Sequence, residues 1–287
     1  MTARQAVRRG VASLLNLAVV VFVGGFAAAA LVRFSPGFDI DENSWNPKIG
    51  AATLEAMHAA RARENELPRF YLHYLRAAAH GDFGESDSLR QPVAELLRRR
   101  APVTLGLVGW GTLGGLLLGG LLAWLAVWPR RTSLGIAASA ASGLLLAVPP
   151  AVLALAFFFA EAPLALAVSL AVVPRVFGTY RALLEEIFAS QALLAARARG
   201  VGRAALAMRY VLAPAAPRLM ALAGVALVLA FGSAIPIEAL CDVPGVGQLA
   251  WKAALARDLP LLCGLALIVT FIVAFMQSLT EAAEAQG

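Results

Sequence analysis

The chain has 287 residues, 60% of them hydrophobic and 15% charged, with a mean hydropathy of +0.74; this is far from the balance of a soluble domain and marks an integral membrane protein. Its net charge of +6 and pI near 10.0 do not point to nucleic acid, because in a membrane protein the distribution of basic residues carries more information than their sum. Cys241 and Cys263 make no disulfide framework, and His58, His73 and His80 follow no metal-ligand spacing.

In chain order, the first apolar run long enough to cross a bilayer, which takes about 20 residues, covers residues 11–32. It is longer than the apolar core of a cleaved signal peptide, roughly 7 to 15 residues, and is expected to remain as the first span. Residues 33–102 read as an extracytoplasmic segment of short helices lying against the membrane. There Leu67-Pro68 puts proline in a first helical turn. Leu67, Phe70, Tyr71, Tyr74, Leu75 and Ala78 then recur at i, i+3, i+4 and i+7 until Gly81 ends the pattern. Val93, Leu96 and Leu97 share one face of a surface helix that leads into the second span.

The later apolar runs cover residues 103–128, 134–160, 164–178, 219–237 and 259–279, so the expected fold is all-α with about six transmembrane helices. The fourth run is the weakest, because Pro174-Arg175 interrupt it; five spans and a re-entrant segment is the alternative. The domain reading is a tail and first span over residues 1–32, the outer segment 33–102, and a core 103–287 with a cytoplasmic loop at 185–218.

Basic residues set the orientation. With the N-terminus inside, Arg4, Arg8, Arg9, Arg130, Arg131, Arg175, Arg181, Arg197, Arg199, Arg203, Arg209 and Arg218 fall on the cytoplasmic side, while the short outer loops hold only Lys252 and Arg257. The positive-inside rule therefore predicts both termini in the cytoplasm of a multi-pass protein of the bacterial inner membrane, with Cys241 near the outer end of the fifth span. The segment 33–102 is long enough to translocate largely regardless of its charge.

The apolar cores carry no Asp, Glu, Lys or His, although ion-coupled transporters place such groups at mid-membrane. The only lysines, Lys48 and Lys252, follow Pro47 and Trp251, so no GxxxxGK[ST] phosphate loop exists. Nor does any hydrolase constellation. The chain is expected to be non-catalytic and to bind no cofactor, so energy for uphill transport has to come from another subunit.

Residues 185–218 form a basic island between apolar runs. Ser190 can cap a helix over residues 191–199, Gly200 can end it in the left-handed conformation, and a second helix over residues 203–212 is expected to stop before Pro214. On the residues alone, this helix-turn-helix either lies on anionic lipid or docks a cytoplasmic partner; a secondary transporter or a non-transport scaffold stays open at this level.

Several ordered motifs resemble the inner-membrane permeases of ABC importers for dipeptides, oligopeptides and nickel. Ala195, Ala196 and Gly200 match the AAxxxG core of that family's EAA loop, and Arg209-Tyr210-Val211-Leu212-Ala213-Pro214-Ala215 resembles the run that follows it. Gly81-Asp82-Phe83-Gly84-Glu85-Ser86, then Val93 and Pro102-Val103-Thr104-Leu105, agree in order. So do Glu238 with Pro244-Gly245-Val246-Gly247-Gln248-Leu249, and Ala256-Arg257-Asp258-Leu259-Pro260. Ser35-Pro36-Gly37 with Asp39 is a loose echo of another loop.

The resemblance implies a type I importer permease that forms a pore with a second permease subunit. An extracytoplasmic substrate-binding protein feeds the pore and two cytoplasmic P-loop ATPases, which use ATP and Mg, drive it; peptides are the expected cargo. Ala195, Ala196, Arg197, Arg199, Gly200, Val201, Arg203 and Arg209 would form the ATPase-coupling element. Gly81, Asp82, Phe83, Gly84, Glu238, Pro244, Gly245, Gly247, Arg257 and Asp258 would form the outer gate or binding-protein dock, the alternative being tight glycine turns at span ends. The chain departs from the family at Leu194, where a polar residue is usual, at Pro214, where asparagine is usual, in the short outer turn Glu161-Ala162-Pro163, and in lacking an Asp-Pro-Arg tail.

Overall fold

The computed structural model describes residues 18–20, 22–27, 30–31, 67–127 and 132–284. Among these the secondary structure is helical, apart from one isolated bridge between Glu85 and Pro92. The chain divides into two compact units, Met1–Arg100 with Leu249–Ala274, and Ala101–Gln248 with Phe275–Gly287.

In the first unit, helix α1 (Leu67–Ala79) forms where the apolar periodicity predicts it, and Gly81, at φ 85°, turns the chain away. Its Tyr71 and Tyr74 are buried in a cluster with Leu259, Cys263 and Leu267. The Tyr71 hydroxyl donates to the Phe22 carbonyl at 3.0 Å, and burial pushes its pKa up to about 12, so it remains a neutral donor. The expected surface helix at residues 93–100 is the beginning of the 35-residue helix α2 (Val93–Val127), with Val93, Leu96 and Leu97 buried as the shared face requires.

The second unit corrects the expectation for residues 134–160, which do not form one straight span. Helices α3 (Thr132–Ala147) and α4 (Pro150–Phe159) are separate, and their apolar parts meet at a 95° bend. Pro149-Pro150 is the cause: the ring of Pro150 bars helical backbone at the residue before it, and Pro149 is extended, at φ −60° and ψ 142°. Pro150 then opens α4, where its missing N–H costs nothing.

Helix α5 (Leu164–Phe188) corrects the fourth span in the other direction. It runs 25 residues straight through Pro174, ten residues beyond the expected end at Gly178. Pro174 is buried, and packing holds the helix across the lost backbone bond. Gly111, Gly114, Gly115 and Gly119 of α2 lie against Val168, Ser169, Val172 and Val176 of α5, a small-residue seam that lets two helices approach closely.

Beyond α5 come α6 (Gln191–Ala198), the single turn α7 (Arg203–Ala205), a π-helical segment Leu206–Leu212 and α8 (Ala213–Leu240). The expected stop before Pro214 does not occur. The wide π turn hands over directly to α8, and Pro214 follows it at the second residue of α8, inside a continuous helical stretch where the change of helix type accommodates the proline. Helices α9 (Val246–Leu255) and α10 (Leu259–Glu284) complete the described chain.

By length and composition, α2, α5 and the continuous stretch Arg203–Leu240 can each cross a membrane, and the bent pair α3–α4 makes a fourth crossing if it counts as one span. Leu259–Phe275 and Ala18–Ala27 are shorter apolar helices at the places of the sixth and first expected spans, and half of the run 11–32 lies outside the described residues. Trp110 (69% exposed) and Phe159 (80% exposed) belong to an apolar exterior that suits lipid as solvent.

Candidate coupling and gate sites

The basic island folds as a capped helix. The Ser190 side chain accepts from the Leu193 N–H, at 3.4 Å, and so caps α6. At the other end, Gly200 sits at φ 78°. Its N–H donates to the Arg197 carbonyl at 3.0 Å, and the Val201 N–H donates to the Ala196 carbonyl at 3.2 Å. Those two bonds are the Schellman closure, in which glycine takes the left-handed position.

Eight residues are fixed in this way at both ends. Leu193 and Ala196 face inward and are buried, whereas Ala195, Arg197 and Arg199 are exposed. Arg197 packs over the Phe188 ring, 5.2 Å from its centroid, and Arg199 donates to the Ala195 carbonyl at 3.3 Å. Both guanidinium groups are thus positioned on the outside of a rigid helix. Arg203 and Arg209 are exposed on the α7 turn and the π segment, and Val201 is half-buried in the turn. Leu194, 44% exposed, adds an apolar side chain to the outside of the helix.

The remaining candidate residues form two clusters, one in each unit. In the first unit the loop after α1 turns at Gly81 and Gly84 (φ 72°), the Asp82 carboxylate accepts from Gly84 N–H at 2.9 Å, and the Phe83 carbonyl accepts from Tyr74 Oη at 3.0 Å. Asp258, 1% exposed, ties this loop down: Oδ2 accepts from Ser86 Oγ (2.5 Å), Ser88 N (3.0 Å) and Ser88 Oγ (2.7 Å), and Oδ1 accepts from Leu261 N (3.1 Å). Burial raises the Asp258 pKa, but the hydrogen bonds from Ser86, Ser88 and Leu261 outweigh it and hold the carboxyl below its ordinary 3.8. The neighbouring Arg257 is exposed and sits in the left-handed region, at φ 55°.

In the second unit Glu238 lies inside α8, whereas the apolar run ends at Ile237, and its side chain is fully buried. Its Oε2 accepts from Gly247 N–H at 2.7 Å. The Thr104 hydroxyl stands beside the same carboxylate and accepts from Val246 N–H at 2.8 Å. Gln248 donates to the Asp242 carboxylate. The turn that carries Pro244, Gly245 and Gly247 is therefore wrapped around a buried carboxylate. A Cβ on Gly245 would overlap the Glu238 carboxyl, and one on Gly247 would come to 2.7 Å from Ile235 Cα.

The motif glycines lie in these two clusters, and the residues that hold the turns, Thr104, Ser86, Ser88 and Tyr74, were not among the candidate site residues. Asp258 directly before Leu259-Pro260 is a legible N-cap signal; the serines that reach it from far along the chain have no local signature. Cys241, at the C-terminal end of α8, is buried, 7% exposed, with Sγ 3.7 Å from the Ala154 carbonyl.

Residues 104–284 match the family described as the binding-protein-dependent transport system inner membrane component. The chain belongs to this family. It is also similar to nickel import system permease proteins NikB from Staphylococcus aureus strains MRSA252, bovine RF122 / ET3-1 and USA300, each 23% identical over 286 residues, covering 93% of this chain and 87% of the relative. This family membership makes it a permease subunit of a binding-protein-dependent ABC importer and a multi-pass protein of the inner membrane. The matched region begins at Thr104 and contains the whole capped island and the Glu238 turn.

Proposed function

We propose that the chain forms one half of an import pore with a second permease subunit, receives peptides from an extracytoplasmic binding protein, and is driven by two P-loop ATPases through α6. The observation that carries the reading is the double closure of α6, by the Ser190 cap and the Gly200 Schellman turn. A helix of about 12 Å locked at both ends moves as a body, so displacement by an ATPase passes through the π segment into α8 without being absorbed by fraying. Arg197 and Arg199 face outward and provide the basic surface for the partner. Both termini and α6 lie in the cytoplasm, and the clusters around Asp258 and Glu238 face the binding protein. Metal-chelate cargo is the second reading, favoured by the NikB relatives, whose printed name assigns them to nickel import.

The test is Gly200→Val in the assembled importer. A β-branched residue at φ 78° carries strain of about 1–3 kcal/mol, enough to loosen α6 without touching the spans. Membrane insertion is expected to persist while binding-protein-stimulated ATP hydrolysis falls at least several-fold, with Arg199→Glu producing a parallel, salt-dependent loss. Wild-type stimulation in both variants would refute the coupling role.

A further inference from the structure

Beyond the motifs, α5 carries an arginine inside its membrane-crossing stretch. Arg175 lies about 16 Å along the axis from Leu164 at 1.5 Å per residue, within a hydrocarbon layer about 30 Å thick. It is exposed, and among the described residues it has no ion-pair partner. Thr179 is exposed one turn further on, and Glu186 is exposed two turns beyond that. These three line a cavity of about 610 Å³ between the second half of α5 and the first half of α8.

At the far end of that cavity, Glu186 is already paired with Arg218 at 2.6 Å. The described lining therefore keeps one uncompensated charge, the Arg175 guanidinium. A bare guanidinium facing lipid at this depth is costly, and such groups face water-filled cavities or an anionic partner. Expected on the cytoplasmic side of a span ending at Gly178, Arg175 is instead followed by 13 more helical residues to Phe188, about 20 Å of helix, and so lies within α5 and not at its end.

We propose that this cavity is an aqueous stretch of the import path in which Arg175 binds a carboxylate of the cargo. A guanidinium matches a carboxylate with two parallel hydrogen bonds, and Thr179 offers a hydroxyl one turn away. The carboxylate can be the C-terminus of a peptide or belong to the chelator of a metal ion. The inference deepens the permease reading and rests on it.

Two measurements test it on the assembled importer in proteoliposomes. In a Cys241→Ala, Cys263→Ala background, Thr179→Cys is expected to react faster with the anionic reagent 2-sulfonatoethyl methanethiosulfonate than with its trimethylammonium counterpart, both rates taken relative to the same reagents on a free thiol. Adding Arg175→Gln is expected to lower that ratio about five- to tenfold. An unreactive Thr179→Cys, or an unchanged ratio, overturns the inference whatever the cargo is.

The second measurement is ATP-dependent uptake, with the importer's binding protein present, of radiolabelled dialanine, dialaninamide and nickel–histidine. Uptake of dialanine but not its amide identifies a peptide terminus, and uptake of nickel–histidine identifies a chelate. Arg175→Gln is expected to slow the transported carboxylate about tenfold, Arg175→Lys less, with basal ATP hydrolysis unchanged. If Arg175→Gln instead dissociates the two permeases on co-purification, the carboxylate belongs to the partner subunit and the cargo role is refuted. If the wild-type complex shows no ATP-dependent uptake of either carboxylate probe, the cargo assignment falls. Failure to assemble with ATPases at all would strike the permease-coupling reading instead, independently of the thiol ratio.

Discussion

Replacing Asp258 by alanine removes the acceptor for four hydrogen bonds at once, from Ser86 Oγ, Ser88 N, Ser88 Oγ and Leu261 N, at distances of 2.5 to 3.1 Å. A hydrogen bond to a charged group contributes about 1.5–3 kcal/mol, but these share one carboxylate and do not add. Leaving the buried Ser86 and Leu261 donors unsatisfied costs about 1–3 kcal/mol each, so the whole loss is about 3–5 kcal/mol. At roughly 2–4 °C per kcal/mol, the first unit should soften about 6–20 °C lower than in the wild type.

Cys263, fully buried in the same unit, supplies the assay. With Cys241→Ala as background, the temperature at which a thiol-reactive dye reaches Cys263 reports opening of that unit alone. Asp258→Asn keeps a carbonyl acceptor and should lose less. Because the folded carboxyl is held below its ordinary value, its stabilisation is fully present above the unfolded pKa near 4 and disappears as pH falls through the folded value. Wild type should therefore lose its advantage over Asp258→Asn in that acid window. A dye midpoint for Asp258→Ala within about 2 °C of wild type would refute the account of how the loop is held.

Gly247→Ala puts a Cβ 2.7 Å from Ile235 Cα, a backbone atom that cannot swing aside; overpacking of this kind costs about 1–3 kcal/mol, and uptake driven by the binding protein should fall while ATPase assembly survives. Gly178→Ala is the control, since a Cβ there meets nothing within 4 Å, and equal effects would show that crowding is not the cause. For orientation, Lys252→Cys and Ala192→Cys are both exposed positions; with Cys241 and Cys263 replaced, an impermeant thiol reagent should label the first in intact cells and the second only after permeabilisation, and the opposite pattern inverts the topology.

Helix ends and apolar runs were legible in the sequence because their signals are local. Ser190, Gly200, Gly81 and the Tyr71–Tyr74 face all act within one or two turns of chain, and the structure places each as the residue chemistry predicts. Direction was not legible: an apolar run has the same hydropathy whether it is straight or bent by 95° at Pro149-Pro150. Proline signals were ambiguous for a related reason. Pro174 is absorbed by a packed helix and Pro214 by a change of helix type, outcomes decided by neighbours and not by the proline. The buried clusters were hidden by distance along the chain. Thr104 meets the Glu238 turn across 142 residues and Ser86 meets Asp258 across 172, and no pattern on either segment announces the other.

The π segment Leu206–Leu212 has a consequence for how length and composition are constrained in this region. A π turn accommodates one more residue than the α turn it replaces, and each residue of an α-helix advances the azimuth by about 100°. The inward face of α8, with Ala221, Leu222, Ala226 and Ala230 buried, is therefore phased against α6 by that surplus residue. Deleting any one residue between Leu206 and Leu212 would give the backbone a more ordinary helix, yet turn the arginines of α6 roughly a quarter-circle away from their bearing on α8. Here the number of residues is the specification, and most side chains on the exposed side of the segment are free to vary around it.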